Sequence, residues 1–248
     1  MLDFKKFKFL IILAVVHTTA FFLIGSQNLE IDFVEGTVEV LNVNDTNSSS
    51  ILSLNNGDSI TFEHWICTGP SSRAQFSNDK ITYRLGSMSV VSFNDENNFK
   101  LHSGSFLFCT KKKGSEFKFS SSDSFAKFIG TGTIIIETTT NGGFKFLPLE
   151  GRGHITTDQG GTKAVESGQM LLVLNDPSYF GDAYDFDLQL MIKSCRLING
   201  FPSPLSTFGR ISLAIYSQEL RMKGRFEALI GDATSNNELQ LWKFGNSQ

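Results

Sequence analysis

Apolar and polar residues alternate through most of residues 31–174, in short segments separated by glycine and asparagine. Successive side chains of a strand point to opposite faces, so this period of two predicts strands with one buried face. The segments recur about every 8 to 15 residues, which is typical of an all-β sandwich or roll. The clearest segments are residues 38–40, 60–63, 80–85, 106–108 and 116–119.

Two further features refine this prediction. Residues 133–137 form a continuous run rich in isoleucine and threonine, as expected for a strand that is buried on both faces. Glycine recurs where strands begin, and a positive φ at a tight corner favours this residue. Such corners fit a small roll of stacked strands, although glycine can also recur by chance in any β protein. The glycines concerned are Gly36, Gly57, Gly104, Gly151 and Gly168.

After residue 177 the apolar period changes to 3.6, which predicts two C-terminal helices. Asp182 or Asp185 can cap the first helix, and Gly200, Pro202 and Pro204 end it. The second helix is expected to end near residue 224 and to cover, with the first, an open edge of the sheet or of a neighbour's sheet. The first helix presents Phe186, Leu190, Leu197 and Ile198, and the second presents Phe208, Ile211, Ile215 and Met222.

A hydrophobic segment is predicted to form one helix at the N-terminus. Lys5, Lys6 and Lys8 precede the uncharged residues 9–24, which would be about 24 Å long as a helix. A bilayer core is ~30 Å thick, so the segment is either a short membrane anchor or a slightly long cleavable signal. Either reading places the chain after about residue 27 outside the cytoplasm, because the positive end stays inside.

Composition narrows the class of protein. The chain has 248 residues, of which 40% are hydrophobic and 19% charged, so it has enough apolar surface to fold. Its net charge of -3 disfavours a basic nucleic-acid binder, and three cysteines are too few for a disulfide scaffold. We expect a signal or anchor at residues 1–26, an all-β domain at 30–175 and a helical tail at 176–248.

Candidate catalytic and metal-binding residues do not form a convincing set. His64 and Cys67, like His102 and Cys109, are separated by an odd number of residues, which places them on opposite faces of a strand. His154 is isolated, and the chain has no Gly-x-Ser-x-Gly motif for a nucleophile. We therefore predict no catalytic, cofactor or metal site, and no enzyme. Cys67 and Cys109 either pair in an oxidising compartment or remain thiols.

Several polar motifs have ordinary explanations. Gly130-Thr131-Gly132 and Gly151-Arg152-Gly153 do not complete a nucleotide-binding fingerprint. Lys111-Lys112-Lys113 is expected to be a solvated hairpin tip, although it could also meet anionic polysaccharide or lipid headgroups at ~1 kcal/mol per charge. The carboxylates at turn-like positions are Glu35, Asp58, Asp79 and Glu150.

A series of short motifs in residues 64–156 resembles the FecR domain. The motifs are Thr68-Gly69, Ser72-Arg73-Ala74 with the alternating strand to Phe76, Asn78-Asp79 before the strand 80–85, Gly86-Ser87-Met88-Ser89, Leu101 with Gly104 and Phe106, Gly130-Thr131 before the strand to Ile136, and Leu149-Glu150-Gly151. The resemblance implies a stacked-strand roll or sandwich of the FecR type, exported and engaged in protein contacts. The best-known members relay the state of an outer-membrane transporter to a cytoplasmic sigma factor.

The resemblance leads to a specific expectation about partners. Only about eight residues precede the hydrophobic segment, so no contact with a sigma factor is expected. We predict a non-catalytic protein tethered through residues 9–24, with its domain in the periplasm or at the cell surface, that binds another envelope protein in sensing, signal transduction or assembly. Its binding surface is expected to be shallow and free of ionisable clusters.

The alternative function is a cell-surface carbohydrate-binding or structural β-module. Exposed tryptophan in a groove would favour it. The two tryptophans are Trp65 and Trp242, and Trp65 is expected in the core.

Overall fold

A computed structural model describes residues 28–42, 51–62, 64–174 and 179–223. In these ranges the strands form one 15-stranded sheet, which confirms the mainly β prediction. The strands are β1 (Asn28–Glu35), β2 (Val38–Asn42), β3 (Ile51–Ser53), β4 (Ser59–Thr61), β5 (His64–Thr68), β6 (Arg73–Ser77), β7 (Ile81–Leu85), β8 (Val90–Asp95), β9 (Asn98–Ser103), β10 (Ser105–Ser121), β11 (Ser124–Thr138), β12 (Phe144–Thr157), β13 (Gly161–Val165), β14 (Gln169–Leu174) and β15 (Tyr179–Asp185).

The predicted N-terminal helix at residues 9–24 lies outside the described residues. Within the described part of the chain, no helix combines the length and hydropathy needed to cross a bilayer.

The sheet divides at the long strand β10 and curls into a roll. The first half of β10 pairs with β7, which leads through β6 to β1 and β4. The second half pairs in parallel with β9, which leads through β8, β5 and β2 to β3. On its other side β10 pairs with β11 and then β12. Two arms therefore extend from one central strand.

A core rich in phenylalanine fills the space between the two arms. Phe76 of β6 meets Phe93 of β8 with ring centroids 5.9 Å apart, so the core joins one arm to the other. Edge-to-face and offset ring contacts of this kind add about 0.5–1.5 kcal/mol each beyond the burial of their area. The buried phenylalanines of this core are Phe62, Phe76, Phe93, Phe99, Phe106, Phe108, Phe117, Phe119, Phe128, Phe144 and Phe146.

A second core lies on the opposite face of β10, β11 and β12, beneath the C-terminal helices. The helices are α1 (Leu188–Ser194), α2 (Arg196–Asn199) and α3 (Phe208–Met222). Ile134 and Ile136 point into the phenylalanine core while Ile135 joins the second core, which confirms that this strand is buried on both faces. The helices cover a face of the sheet, so the prediction that they cover an edge is wrong. The outward apolar residues Leu107, Ile135 and Leu147 provide the physical reason.

The C-terminal region begins differently from its prediction. Residues 179–185 form β15 and extend the sheet by pairing with β14. The first helix starts only at Leu188, and its cap is Asp187, whose carboxylate accepts from the Leu190 N–H at 2.8 Å. The predicted caps Asp182 and Asp185 lie in β15 instead. The second predicted helix is confirmed as α3, which ends at Lys223 in the left-handed conformation.

Arg84 connects the helical region to the sheet. Its guanidinium is buried and donates to the carbonyl oxygens of Leu197 (3.1 Å), Ile198 (2.9 Å) and Ser203 (2.6 Å). It also lies 4.3 Å from the ring centroid of Phe201. Burial lowers the pKa of Arg84 to about 10, so the group remains charged at neutral pH. A buried cation without partners would be costly, and these carbonyl dipoles provide its compensation.

The five corner glycines all have positive φ, as predicted. At Gly104 the reason is also steric, since a Cβ would lie 2.1 Å from the Ser89 Oγ beneath it. Gly151 differs from the others because it lies inside β12.

Candidate functional site

Two pairs of glycines lie opposite each other where β11 pairs with β12, and we call this stretch the bend because glycine inside a strand permits one. Gly130 lies opposite Gly153, and Gly132 lies opposite Gly151. A Cβ at any of the four would come within 2.1–2.4 Å of a backbone oxygen of the other strand. The strands therefore approach more closely than side chains permit. This packing accounts for both Gly-x-Gly motifs, which lie within strands.

The lysine run lies at the same bend. The register between β10 and β11 moves from Thr110 opposite Gly132 to Ser115 opposite Gly130. Residues 111–114 are thus an insertion in the middle of β10, and the prediction of a hairpin tip is wrong. Bulges of this kind re-aim side chains, and here Lys112 and Lys113 are exposed.

A groove of about 650 Å³ opens between the bend and α3. Three cations line it: Lys113 from the insertion, Arg152 from between the glycine pairs, and Arg210 from α3. The expectation of a surface without ionisable clusters is therefore wrong. The remaining lining residues are Gly114, Gly130, Thr131, Glu150, Gly151, Ser167, Leu213, Ala214 and Ser217.

A buried network holds Arg210 at this groove. Glu150, only 4% exposed, accepts from Arg210 Nη2 at 3.2 Å and from Thr133 Oγ1 at 2.8 Å. Thr133 in turn lies 2.6 Å from the hydroxyl of Thr207, the residue that precedes α3. Glu150 was expected to be a turn carboxylate, but it is a buried strand residue that positions a cation. By contrast, Asp58 lies at a turn as predicted, where it accepts from the Asn55 N–H at 2.7 Å.

The outer side of α3 carries an apolar row beside the groove. Leu213 is 68% exposed, Tyr216 61% and Leu220 62%. Their spacing of three and four residues places them on one face of the helix. Phe208 is also exposed, although the sequence placed it on the same buried face as Ile211. We call Leu213, Tyr216 and Leu220 the apolar row.

The predicted histidine and cysteine candidates do not come together. In the described residues, no group of three or more His, Cys, Asp or Glu could hold a metal ion. His64 Nδ1 lies 2.9 Å from the Thr61 hydroxyl, and His154 is exposed on β12. Cys67 and Cys109 are both thiols, and the Cys109 Sγ donates to Thr207 Oγ1 at 3.6 Å. Burial, with a smaller effect of Glu39, raises the pKa of the Cys67 thiol.

Trp65 is half-buried and not a core residue, contrary to its prediction. Its ring stacks on His102 with centroids 4.1 Å apart. His102 Nε2 lies 2.8 Å from the Ser92 hydroxyl. Burial and the nearby Lys100 lower the pKa of His102, which favours the neutral ring in this stack. Trp242 lies outside the described residues.

Sequence reasoning found part of this site. It singled out the lysine run and Gly151-Arg152-Gly153, but it missed Arg210 and the apolar row. The row has a detectable signal, because residues 208–222 are apolar on two sides of the helix instead of one. No sequence pattern showed that these segments meet.

No family model and no curated protein matches the chain. Matching solved structures include two of a proposed anti-sigma factor from Parabacteroides distasonis ATCC 8503. One matches at a TM-score of 0.39 with 10% identity and the other at 0.38 with 11% identity. Each match covers 47% of this chain and 57% of the other. This likeness supports no conclusion about function, and the resemblance to the FecR domain stays a prediction.

Proposed function

We propose that this protein is a non-catalytic, FecR-like binding module of the bacterial envelope, and that it acts in sensing, signal transduction or assembly by contacting another envelope protein. The observation that carries the proposal is the apolar row on α3. Three large apolar side chains, each more than 60% exposed, lie together on one helix. Contiguous exposed apolar surface of this kind marks interaction sites.

The energetics favour a protein contact at the row. Burying an exposed leucine contributes about 1.5–3 kcal/mol, and tyrosine adds a hydrogen-bonding group to a large apolar ring. Tyrosine is also among the residues that dominate binding energy in interfaces. The second core anchors α3 from beneath through Ile211, so the row is presented on a fixed support.

The proposed location rests on the sequence pattern at the N-terminus. Residues 9–24 would tether the chain, and the motifs of residues 64–156 resemble those of the FecR domain, which implies export. Fractionation of cells tests the tether. The full-length chain should remain with membranes through a salt wash, whereas release of a shortened chain would contradict an uncleaved anchor.

Photo-crosslinking in intact cells of the source organism tests the protein contact. A photoreactive residue replaces Tyr216, Leu220 or, as a control, the exposed Asp123 at the turn between β10 and β11. We expect Tyr216 and Leu220 positions to crosslink one and the same envelope protein, and the Asp123 position not to do so. Absence of adducts at both α3 positions, or equal adducts at all three, would contradict the proposal.

The stack of Trp65 on His102 favours the second candidate function, carbohydrate binding. A half-buried indole supported from behind can offer its remaining surface to a sugar ring. Glycan-array binding that is lost in Trp65→Ala, without any crosslink at Tyr216, would reverse the order of the two candidates.

A further inference from the structure

The basic groove and the apolar row form one continuous surface. Leu213 belongs to both, since it lines the groove and starts the row. A partner that covers the row therefore also reaches the groove, and the chemistry of the groove restricts what that partner can be.

The groove is locally positive although the chain is not. Its lining contains three cations, Lys113, Arg152 and Arg210, against one carboxylate, Glu150, a balance of +2. The whole chain has a net charge of -3. Glu150 is buried and already bonded to Arg210 and Thr133, so it does not neutralise Lys113 or Arg152. Surfaces of one sign attract partners of the other sign, so the groove fits an acidic group.

Charge also argues against a second copy of this chain. A two-fold contact through α3 would bring the cations of one groove close to those of the other, and like charges across an interface are unfavourable. A flat bilayer does not fill a recess of about 650 Å³. An anionic polysaccharide would meet the cations but would leave the apolar row uncovered. These features together favour a protein segment with both acidic and apolar side chains.

The shape of α3 suggests the conformation of that segment. The helix has 15 residues, and the row follows positions i, i+3 and i+7 along it. Such a row is complemented by the apolar stripe of a second helix packed alongside, at an axial distance of about 8–10 Å.

We infer that the surface formed by the apolar row, Lys113, Arg152 and Arg210 is a docking site for an acidic amphipathic helix of the partner protein. The apolar stripe of that helix packs on Leu213, Tyr216 and Leu220, and its carboxylates pair with the cations of the groove. Glu150 is a positioning residue that fixes Arg210. The inference rests on the proposed function and specifies the chemistry of its partner.

Binding of defined peptides to the purified full chain tests this inference. The probe is a 15-residue helical peptide with leucine along one face and glutamate on the other, and its matched control has lysine in place of every glutamate. Fluorescence anisotropy at low salt should show binding of the acidic peptide at least about tenfold tighter than the basic one, and 0.5 M salt should weaken it. Equal binding of the two peptides would overturn the inference.

Variants of the chain locate the binding site. K113E/R152E should weaken binding of the acidic peptide at least about tenfold, and Leu213→Ser should weaken it independently. The control K80E/K193E changes the net charge by the same amount at exposed lysines that do not line the groove, and it should bind normally. Thermal unfolding of each variant checks that it is folded. Equal effects of K113E/R152E and K80E/K193E would overturn the inference.

Two further probes separate the rival partners. Vesicles containing one-quarter anionic lipid and soluble polyglutamate should each bind more weakly than the peptide. If either binds as tightly, and Leu213→Ser does not affect it, the inference is wrong and the surface recognises charge alone. Photo-crosslinking at Tyr216 distinguishes the two proposals: a crosslinked partner retained in K113E/R152E cells would preserve the proposed function while rejecting the acidic helix.

Discussion

At the scale of single residues, Arg84 shows how one strand residue can hold a segment that is distant in the sequence in its place. Its side chain leaves β7 on the outer face and caps carbonyl groups more than 110 positions away in the chain. The α2 segment has only four residues and cannot satisfy its own last carbonyls. The arginine supplies those donors and packs on Phe201, so charge, hydrogen bonding and packing act together at one position.

Replacing Arg84 should therefore destabilise the folded protein. We expect Arg84→Ala to lower the free energy of unfolding by about 3 kcal/mol, because the buried carbonyl oxygens of Leu197 and Ile198 and the part-buried one of Ser203 would lose their donor. Urea denaturation measures the change. Lys80→Ala is the control, because Lys80 forms an exposed ion pair with Glu96, and its loss should cost under about 1 kcal/mol. Comparable losses in the two variants would show that Arg84 is not a structural link.

At the scale of elements, the bend of β10, β11 and β12 determines where the site forms. The insertion at residues 111–114 also changes which residues of β10 face the phenylalanine core. Before it these are the even-numbered Phe106 and Phe108, and after it they are the odd-numbered Phe117 and Phe119. In β12 the register shifts once, from Ile134 opposite Pro148 to Thr133 opposite Glu150. Irregular strands thus keep the core continuous while they direct Lys113 and Arg152 to the outside.

Alanine substitution at one of the paired glycines should destabilise the protein, whereas the same substitution at a control glycine in α3 should stabilise it. Gly130→Ala should destabilise the protein by about 2 kcal/mol, because its Cβ would lie 2.4 Å from the Arg152 carbonyl oxygen. Gly209→Ala should stabilise it by up to about 0.5–1 kcal/mol, because it lies in α3 with no atom near the added methyl group. Denaturant midpoints compare the two, and a Gly130→Ala protein as stable as the parent would contradict the close strand approach.

At the scale of the whole molecule, the protein consists of a rolled sheet with one core inside and a second core outside. The inner core is built mainly from phenylalanine and is enclosed by the sheet alone, whereas the outer core depends on the helices remaining in place. Cys109 lies in the outer core beside Thr207, the residue before α3, and Arg84 binds carbonyl oxygens of the same helical layer. Both residues therefore belong to the interface between the sheet and the C-terminal helices.

Thiol labelling tests whether this interface opens as a unit. In the native protein Cys67 is half-buried and should react with an alkylating reagent, while Cys109 is 2% exposed and should react only through unfolding. In Arg84→Ala the labelling of Cys109 should accelerate on the order of 100-fold, as the loss of about 3 kcal/mol implies. Mass spectrometry of the labelled peptides measures both rates. If Cys109 reacted as fast as Cys67 in the parent protein, the helical layer would open without unfolding of the sheet.

The sequence by itself determined most of the strands before residue 175, the five corner glycines and α3, because each depends on local alternation, on helical periodicity or on the backbone freedom of glycine. It determined the doubly buried run at residues 133–137 for the same reason. Only the tertiary structure decided that Lys113, Arg152 and Arg210 line one groove, that Glu150 is buried, and that Phe208 is exposed. These outcomes depend on long-range strand pairing, in which the insertion in β10 lies beside the glycines of β11. Periodicity along the chain does not specify which segments become neighbours.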